Sequence, residues 1–293
     1  MLWQRVLTAV VGIPLLLAFI YLGGWCLVAG LLLLSLVGLQ EFFSLAEAAG
    51  LHPNRAIGYG SATLIMAALV VGRDAGEPSR MPVPTFYELL PLLLTLTVIA
   101  ALVQQMLRPA EPGAIANAGT VVLGVMYLPF LFSYLVRLRS WFTHYVLVPG
   151  THLSLPSGVF WLTAVVAAAW AGDTTAYAVG KAIGRHKLCP KISPGKTVEG
   201  AVAGLLATTL VAAAMGRWLG LPVTYGVVLG VTLAIAGQLG DLSKSVMKRQ
   251  AGVKDSGTII PGHGGVLDRF DSLLFSAPVA FYYLATLEGY FPI

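Results

Sequence analysis

Charge is scarce in this sequence. Only 11% of its residues are Asp, Glu, Lys or Arg, where a soluble domain carries about 25%. At 57% hydrophobic residues and a mean hydropathy of +0.81, no soluble fold accommodates the chain, and a membrane protein does. Cysteine is almost absent. Cys26 and Cys189 are too few and too far apart for a disulfide framework or a cysteine-built metal knot. His52, His144 and His152 fall in loops without ligand spacing and are expected at the surface. No basic run interleaved with aromatics sits on a polar domain, so the net charge of +5 gives no sign of nucleic acid. Internal repeats are missing too, as is the Gly-x4-Gly-Lys-Ser/Thr spacing of a P-loop.

Long apolar runs are abundant. A bilayer-spanning helix needs about 20 mostly apolar residues. Spans are expected at 6–22, 25–46, 57–72, 86–107, 115–136, 158–184, 199–219, 223–247 and 272–289. The fold class is therefore all-α, a polytopic membrane protein with about nine transmembrane helices. It is organised as an N-terminal helical part, 1–140, and a C-terminal part, 141–293, that carries the polar residues. The first run lacks a small-x-small site at its end and is expected to be retained as a helix. Loops are expected at 73–85 and 108–113, and an interfacial tract at 143–158. With nine spans, thirteen of the eighteen Lys and Arg residues share one side of the membrane. The positive-inside rule makes that side cytoplasmic. Glu41 and Glu47 are expected at a solvated helix end there.

Three polar blocks interrupt the apolar sequence after residue 170. In WAGDTTAYAVGKAIGRHKL, Asp173 lies mid-helix. A carboxylate there is costly unless paired, hydrated or metal-bound. An internal pair with Lys181 or Arg185 is the structural alternative. In KISPGKTVEG, Ser193, Pro194 and Gly195 predict a turn into a helix beginning near Thr197. Helix N-termini suit phosphate, and Lys191 and Lys196 add charge, although Thr197 and Glu199 equally suit a plain helix cap. The third block runs from Gln238 to Asp271. Asp241, Lys244, Ser245 and Lys248 fall at i, i+3, i+4 and i+7, on one helical face. After them come Arg249, Lys254, Asp255, the turn Gly262-His263-Gly264-Gly265, and Asp268, Arg269 and Asp271. Asp241 and Asp268 together could hold a divalent metal, since Mg²⁺ takes one or two protein carboxylates and fills its other sites with water and phosphate. Glycines let a backbone approach a phosphate closely. His263 suits a phosphate oxygen or an ordinary loop contact.

Ser245, Lys248, Arg249, Lys254, Asp255, Gly257, Ile260, Pro261, His263, Gly264, Gly265, Asp268, Arg269, Phe270 and Asp271 follow without a gap the signature of the phosphatidate cytidylyltransferases, the CDP-diacylglycerol synthases. The chain resembles that family from Asp173 through the Ser-Pro-Gly-Lys-Thr block to its end. It departs at Gly195 and Val198, where members often carry a Lys and a Trp. The resemblance implies transfer of CMP from CTP to phosphatidate with Mg²⁺, in the cytoplasmic membrane of a bacterium. The implied partners are CTP, phosphatidate and membrane lipid, without nucleic acid, and the reading is compatible with a homodimer. It implies that Asp241, Asp268 and Asp173 serve the metal, with Lys248 among the catalytic residues. Ser193, Lys196, Lys244, Arg249, Lys254, His263, Gly264, Gly265 and Arg269 would contact substrate. A transporter for an anionic solute and a lipid kinase releasing CDP are the competing readings. The DGxxARxxxxxxxxGxxxD pattern of the CDP-alcohol phosphotransferases is absent.

Overall fold

Where water is excluded, backbone N–H and C=O groups must pair within their own segment, and a helix does this completely. The computed structural model of the chain follows that rule. It describes residues 2–71, 86–108, 112–142, 144–148, 152–257 and 264–288. In chain order come α1 (Leu2–Leu22), α2 (Gly24–Ala48), α3 (Arg55–Val71), α4 (Phe86–Met106) and α5 (Ala114–Val125). A π-helical turn, Met126–Phe130, joins α5 to α6 (Leu131–Trp141). Then come β1 (Tyr145–Leu147), β2 (Ser154–Pro156), α7 (Ser157–Ile183), β3 (Lys187–Cys189) and β4 (Ser193–Thr197). The chain continues with α8 (Val198–Trp218), α9 (Val223–Gln250) and α10 (Leu267–Leu287).

Each expected span coincides with a helix, the α5–α6 run counting as one from Ala114 to Trp141. Among the described residues, seven helices are long and apolar enough to cross a membrane, while Val10–Leu22 and Arg55–Val70 are shorter apolar helices. Two differences from expectation bear on the polar residues. The Ser-Pro-Gly-Lys-Thr block is strand β4, not a turn, antiparallel to β3 with Lys187 opposite Thr197 and Cys189 opposite Ser193. The Thr197 hydroxyl then caps α8, accepting the Gly200 N–H at 3.2 Å. Helix α10 begins at Leu267, so Asp268 stands in its first turn, where a carboxylate complements the helix dipole.

The chain falls into two compact units, Met1–Val136 with Gln250–Arg269, and Arg137–Arg249 with Phe270–Ile293. In the first, α2 buries Leu39, Phe42 and Phe43, with Leu128 of the π-turn also buried. A Cβ at Gly38 would meet Leu128 at 3.0 Å, and one at Gly124 would meet Phe42 at 3.0 Å. Pro129, which has no N–H to give, lies within the π-turn. On α4, Leu92, Leu96, Ile99 and Leu102 are exposed, a surface suited to lipid.

Small residues hold the second unit together. Between membrane helices, glycines permit the close approach from which packing energy comes. A Cβ at Gly200 of α8 would lie 2.6 Å from the Ala176 carbonyl of α7, and one at Gly204 would lie 2.9 Å from the Gly172 carbonyl. On α9, a Cβ at Gly226 would stand 2.9 Å from Cα of Ala213, and one at Gly237 would touch Ser272 and Ser276 of α10. The opposite side of α8 exposes Val202, Leu206 and Leu210. The glycine stripe of α9 continues at helical spacing into Asp241, Lys244 and Lys248, so tight packing leads directly into the polar residues.

Candidate active site

In the second unit the acidic and basic side chains form a continuous chain. Lys196, at the end of β4, is set beside α9 by the β3–β4 hairpin, and its Nζ lies 2.7 Å from Asp241 Oδ2. The other oxygen of Asp241 is 3.3 Å from Lys244 Nζ, one turn further along α9. Lys244 also pairs with Asp271 of α10. The Ser272 N–H donates to Asp271 Oδ1 at 2.8 Å. The Ser272 hydroxyl donates at 3.3 Å to Oδ1 of Asp173 on α7. Five ionisable groups from four elements are thereby linked. Lys244 and Asp271 are buried, whereas Asp241 and Lys196 remain partly accessible. The Gln238 amide, one turn before Asp241, donates to the Ala201 carbonyl at 3.0 Å and ties α9 to α8.

Asp173 does not pair with Lys181 or Arg185. It lines a cavity of about 30 Å³ with Gly172, Gly204, Thr208, Gln238 and Ser276. Such a space, polar on several sides, accommodates a water molecule. The glycines make the room, since any side chain at Gly172 would strike Thr208.

The other expected site residues are placed as follows. Ser193 begins β4. Lys248 is half-buried and Arg249 exposed at the end of α9. The Arg249 Nε–H donates to the Ile192 carbonyl at 3.1 Å, fastening α9 to the loop before β4. In the first unit, Lys254 and Arg269 are exposed. Gly264 has φ +80°, a conformation that favours glycine. His263 lies outside the described residues. Asp268 Oδ2 accepts the Ser256 N–H at 3.0 Å and the Ser256 hydroxyl at 2.9 Å.

Two acidic residues gain importance that their sequence context did not reveal. Asp271 closes the signature, but its partner Lys244 lies on another helix, so no local spacing predicts the pair. Glu41 was expected at a solvated helix end. It is 3% exposed and accepts the backbone N–H groups of Val266 and Leu267, each at 2.9 Å. The available signal was its place in the apolar run of α2, where a carboxylate needs donors. Glu47 does sit as expected, paired with Arg55 at 2.5 Å near the surface.

Residues 3–287 match the model of the cytidylyltransferase family. A phosphatidate cytidylyltransferase of Synechocystis is 36% identical over 97% of this chain and 97% of its own length. One of Staphylococcus haemolyticus is 34% identical over 94% of this chain and 96% of its own. One of Bacillus subtilis is 37% identical over 72% of this chain and 71% of its own.

Proposed function

The chain belongs to the cytidylyltransferase family, and on that premise we propose that it transfers CMP from CTP to phosphatidate, giving CDP-diacylglycerol and pyrophosphate. The observation that carries this reading is the linked series Lys196, Asp241, Lys244, Asp271, Ser272 and Asp173, in which all but Lys196 of β4 stand on helices apolar enough to cross a membrane. Phosphatidate is a phosphomonoester whose second pKa is about 6. At neutral pH it is largely dianionic, so its oxygen can attack the α-phosphorus of CTP without a strong base. The new P–O bond forms as the bond from the α-phosphorus to the bridging oxygen breaks, and pyrophosphate leaves with that electron pair. The protein's task is to bring two polyanions together and to stabilise the leaving group, which calls for fixed positive charge. Lys196, drawn up by Asp241, is the best placed cation. Lys248 and the remaining donors of Arg249 follow it. Lys244, buried between Asp241 and Asp271, serves to set the two carboxylates.

Among the described residues no three His, Cys, Asp or Glu side chains gather as a metal cage. Mg²⁺ does not need one, because it keeps water ligands and takes one or two carboxylates together with substrate phosphate. Asp241 already attracts two ammonium groups within 3.3 Å, and Asp173 and Ser272 add further hard oxygens. This donor set fits Mg²⁺, with Asp241 as the principal ligand and Asp173 in support. When bound, the ion supplies charge stabilisation for the departing pyrophosphate. Asp268 as a further metal ligand, and Ser193, Lys254, His263, Gly264, Gly265 and Arg269 as substrate contacts, complete the proposal, each open to test by its own variant. The excess of Lys and Arg on one set of loops supports a cytoplasmic active site in the cytoplasmic membrane, with the lipid entering sideways between helices.

CTP labelled separately at the α and γ positions tests the reaction, using purified protein with phosphatidate and Mg²⁺. The α label is expected in the organic phase and the γ label in pyrophosphate. Entry of the γ label into lipid would make the protein a kinase. Asp241→Asn and Asp268→Ala are both expected to lose activity. Near-normal activity with unchanged Mg²⁺ dependence in either would remove that residue from the metal site.

A further inference from the structure

We propose that Glu41 is a positioning residue that fixes the turn entering α10 and thereby the placement of Asp268. Leu267 is the first residue of α10, and its N–H and that of Val266 belong to the group a helix leaves without an internal partner. Buried amides of this kind are costly when unsatisfied. Glu41 meets both, Oε1 accepting from Val266 and Oε2 from Leu267, each at 2.9 Å. It does so from more than two hundred residues away in sequence, out of the interior of α2.

The same carboxylate reaches Asp268 through a hydroxyl. Ser256 Oγ lies 3.3 Å from Glu41 Oε2 and 2.9 Å from Asp268 Oδ2. A hydroxyl has one proton to give, and the shorter contact directs it to Asp268. The Ser256 N–H donates to the same Asp268 oxygen at 3.0 Å. Asp268 is thus held on one side by Ser256, while the helix turn that bears it is held by Glu41. Two glycines of the signature are explained by this arrangement. A Cβ at Gly257 would lie 2.7 Å from Glu41 Oε1, and one at Gly265 would stand 2.5 Å from Ser256 Oγ and strike Glu41. These glycines leave room for a carboxylate arriving from another helix.

The kinetic part of the test rests on the cytidylyl-transfer reading, and the structural part does not. Full-length protein in detergent is compared with Glu41→Gln, Glu41→Asp and Ser256→Ala. Glutamine keeps the size but turns an NH₂ toward an N–H donor. For Glu41→Gln, kcat for α-label transfer is expected to fall about 10–100-fold, as for other residues that orient a ligand. The KM for CTP is expected to change by less than about three-fold, the pattern of lost transition-state stabilisation. Amide exchange should accelerate over residues 264–272 and stay unchanged in α7 and α8. Ser256→Ala should lower kcat while Val266 and Leu267 stay protected, because Glu41 still holds their amides. Glu41→Asp, too short to reach both amides, carries the same test if the glutamine variant does not accumulate. Exchange over 264–272 unchanged from wild type, or a kcat within about two-fold of it, overturns the positioning role. Uniform loss of protection in every helix, with normal kcat for the folded fraction, also overturns it and leaves Glu41 a packing residue. Faster exchange confined to 264–272, in a protein whose wild type moves no α label into lipid, sustains the positioning role and refutes cytidylyl transfer instead.

Discussion

Lys244 and Asp271 are 6% and 5% exposed. Removing one member of a buried pair leaves an uncompensated charge at a cost of about 3–5 kcal/mol, whereas replacing both with apolar residues of similar volume is often neutral. Lys244→Met is therefore expected to destabilise the protein by about that amount in chemical unfolding, and Lys244→Met with Asp271→Leu to recover most of it. Activity should return in neither, because Asp241 loses the ammonium group that sets its second oxygen. A double variant as unstable as the single one would show that Lys244 contributes packing and not charge compensation. Glu41 makes a related point. A carboxylate is tolerated in an apolar helix when donors converge on it, and here they come from the turn before α10 and not from a neighbouring lysine.

At the level of elements, the contact between α7 and α8 controls the position of Lys196. Gly200 lies one turn into α8, and a Cβ there would come within 2.6 Å of the Ala176 carbonyl. Gly200→Val has no room to relax without parting the two helices, and overpacking of this kind costs about 1–3 kcal/mol. It should also move Lys196 away from Asp241. A loss of kcat/KM larger than the loss of stability explains is the expected result. Leu206→Ala and Leu210→Ala, on the exposed face of the same helix, serve as controls and should change both by little. Equal effects on the two faces of α8 would mean that the glycine face is not the packing face. The β3–β4 hairpin acts in the same direction. His186 Nδ1 lies 2.7 Å from Glu199 Oε1 in the first turn of α8, which joins the hairpin to the helix that it caps.

Orientation belongs to the whole molecule, and the two native cysteines report it without further engineering. Cys26 is exposed near the start of α2, and Cys189 is partly accessible at the end of β3. The proposed orientation, with the N-terminus inside, would turn Cys26 outward and Cys189 toward the cytoplasm. A membrane-impermeant maleimide applied to intact cells is expected to label Cys189→Ser protein and to spare Cys26→Ser protein. Inverted vesicles should reverse the pattern. The opposite labelling in both preparations would place Lys196 and Asp241 outside, away from nucleotide, and would overturn the cytoplasmic assignment.

Hydropathy runs set the helices, and the positions of Thr197, Asp173 and the 245–271 signature could be read along the chain, because helix formation in an apolar solvent and motif spacing are both local. Asp241, Lys244 and Lys248 share a helical face by spacing alone, and that too was legible. The partners of those groups were not. Lys196 meets Asp241, Lys244 meets Asp271, and Glu41 meets Val266 and Leu267 across separations that no periodicity encodes. The conformation of the Ser-Pro-Gly-Lys-Thr block was likewise decided by pairing with β3, since its own residues suit a turn as readily as a strand. Local sequence determined which groups are polar within an apolar chain. Only tertiary packing decided which of them neutralise one another, because a buried charge is satisfied by whatever the fold brings to it.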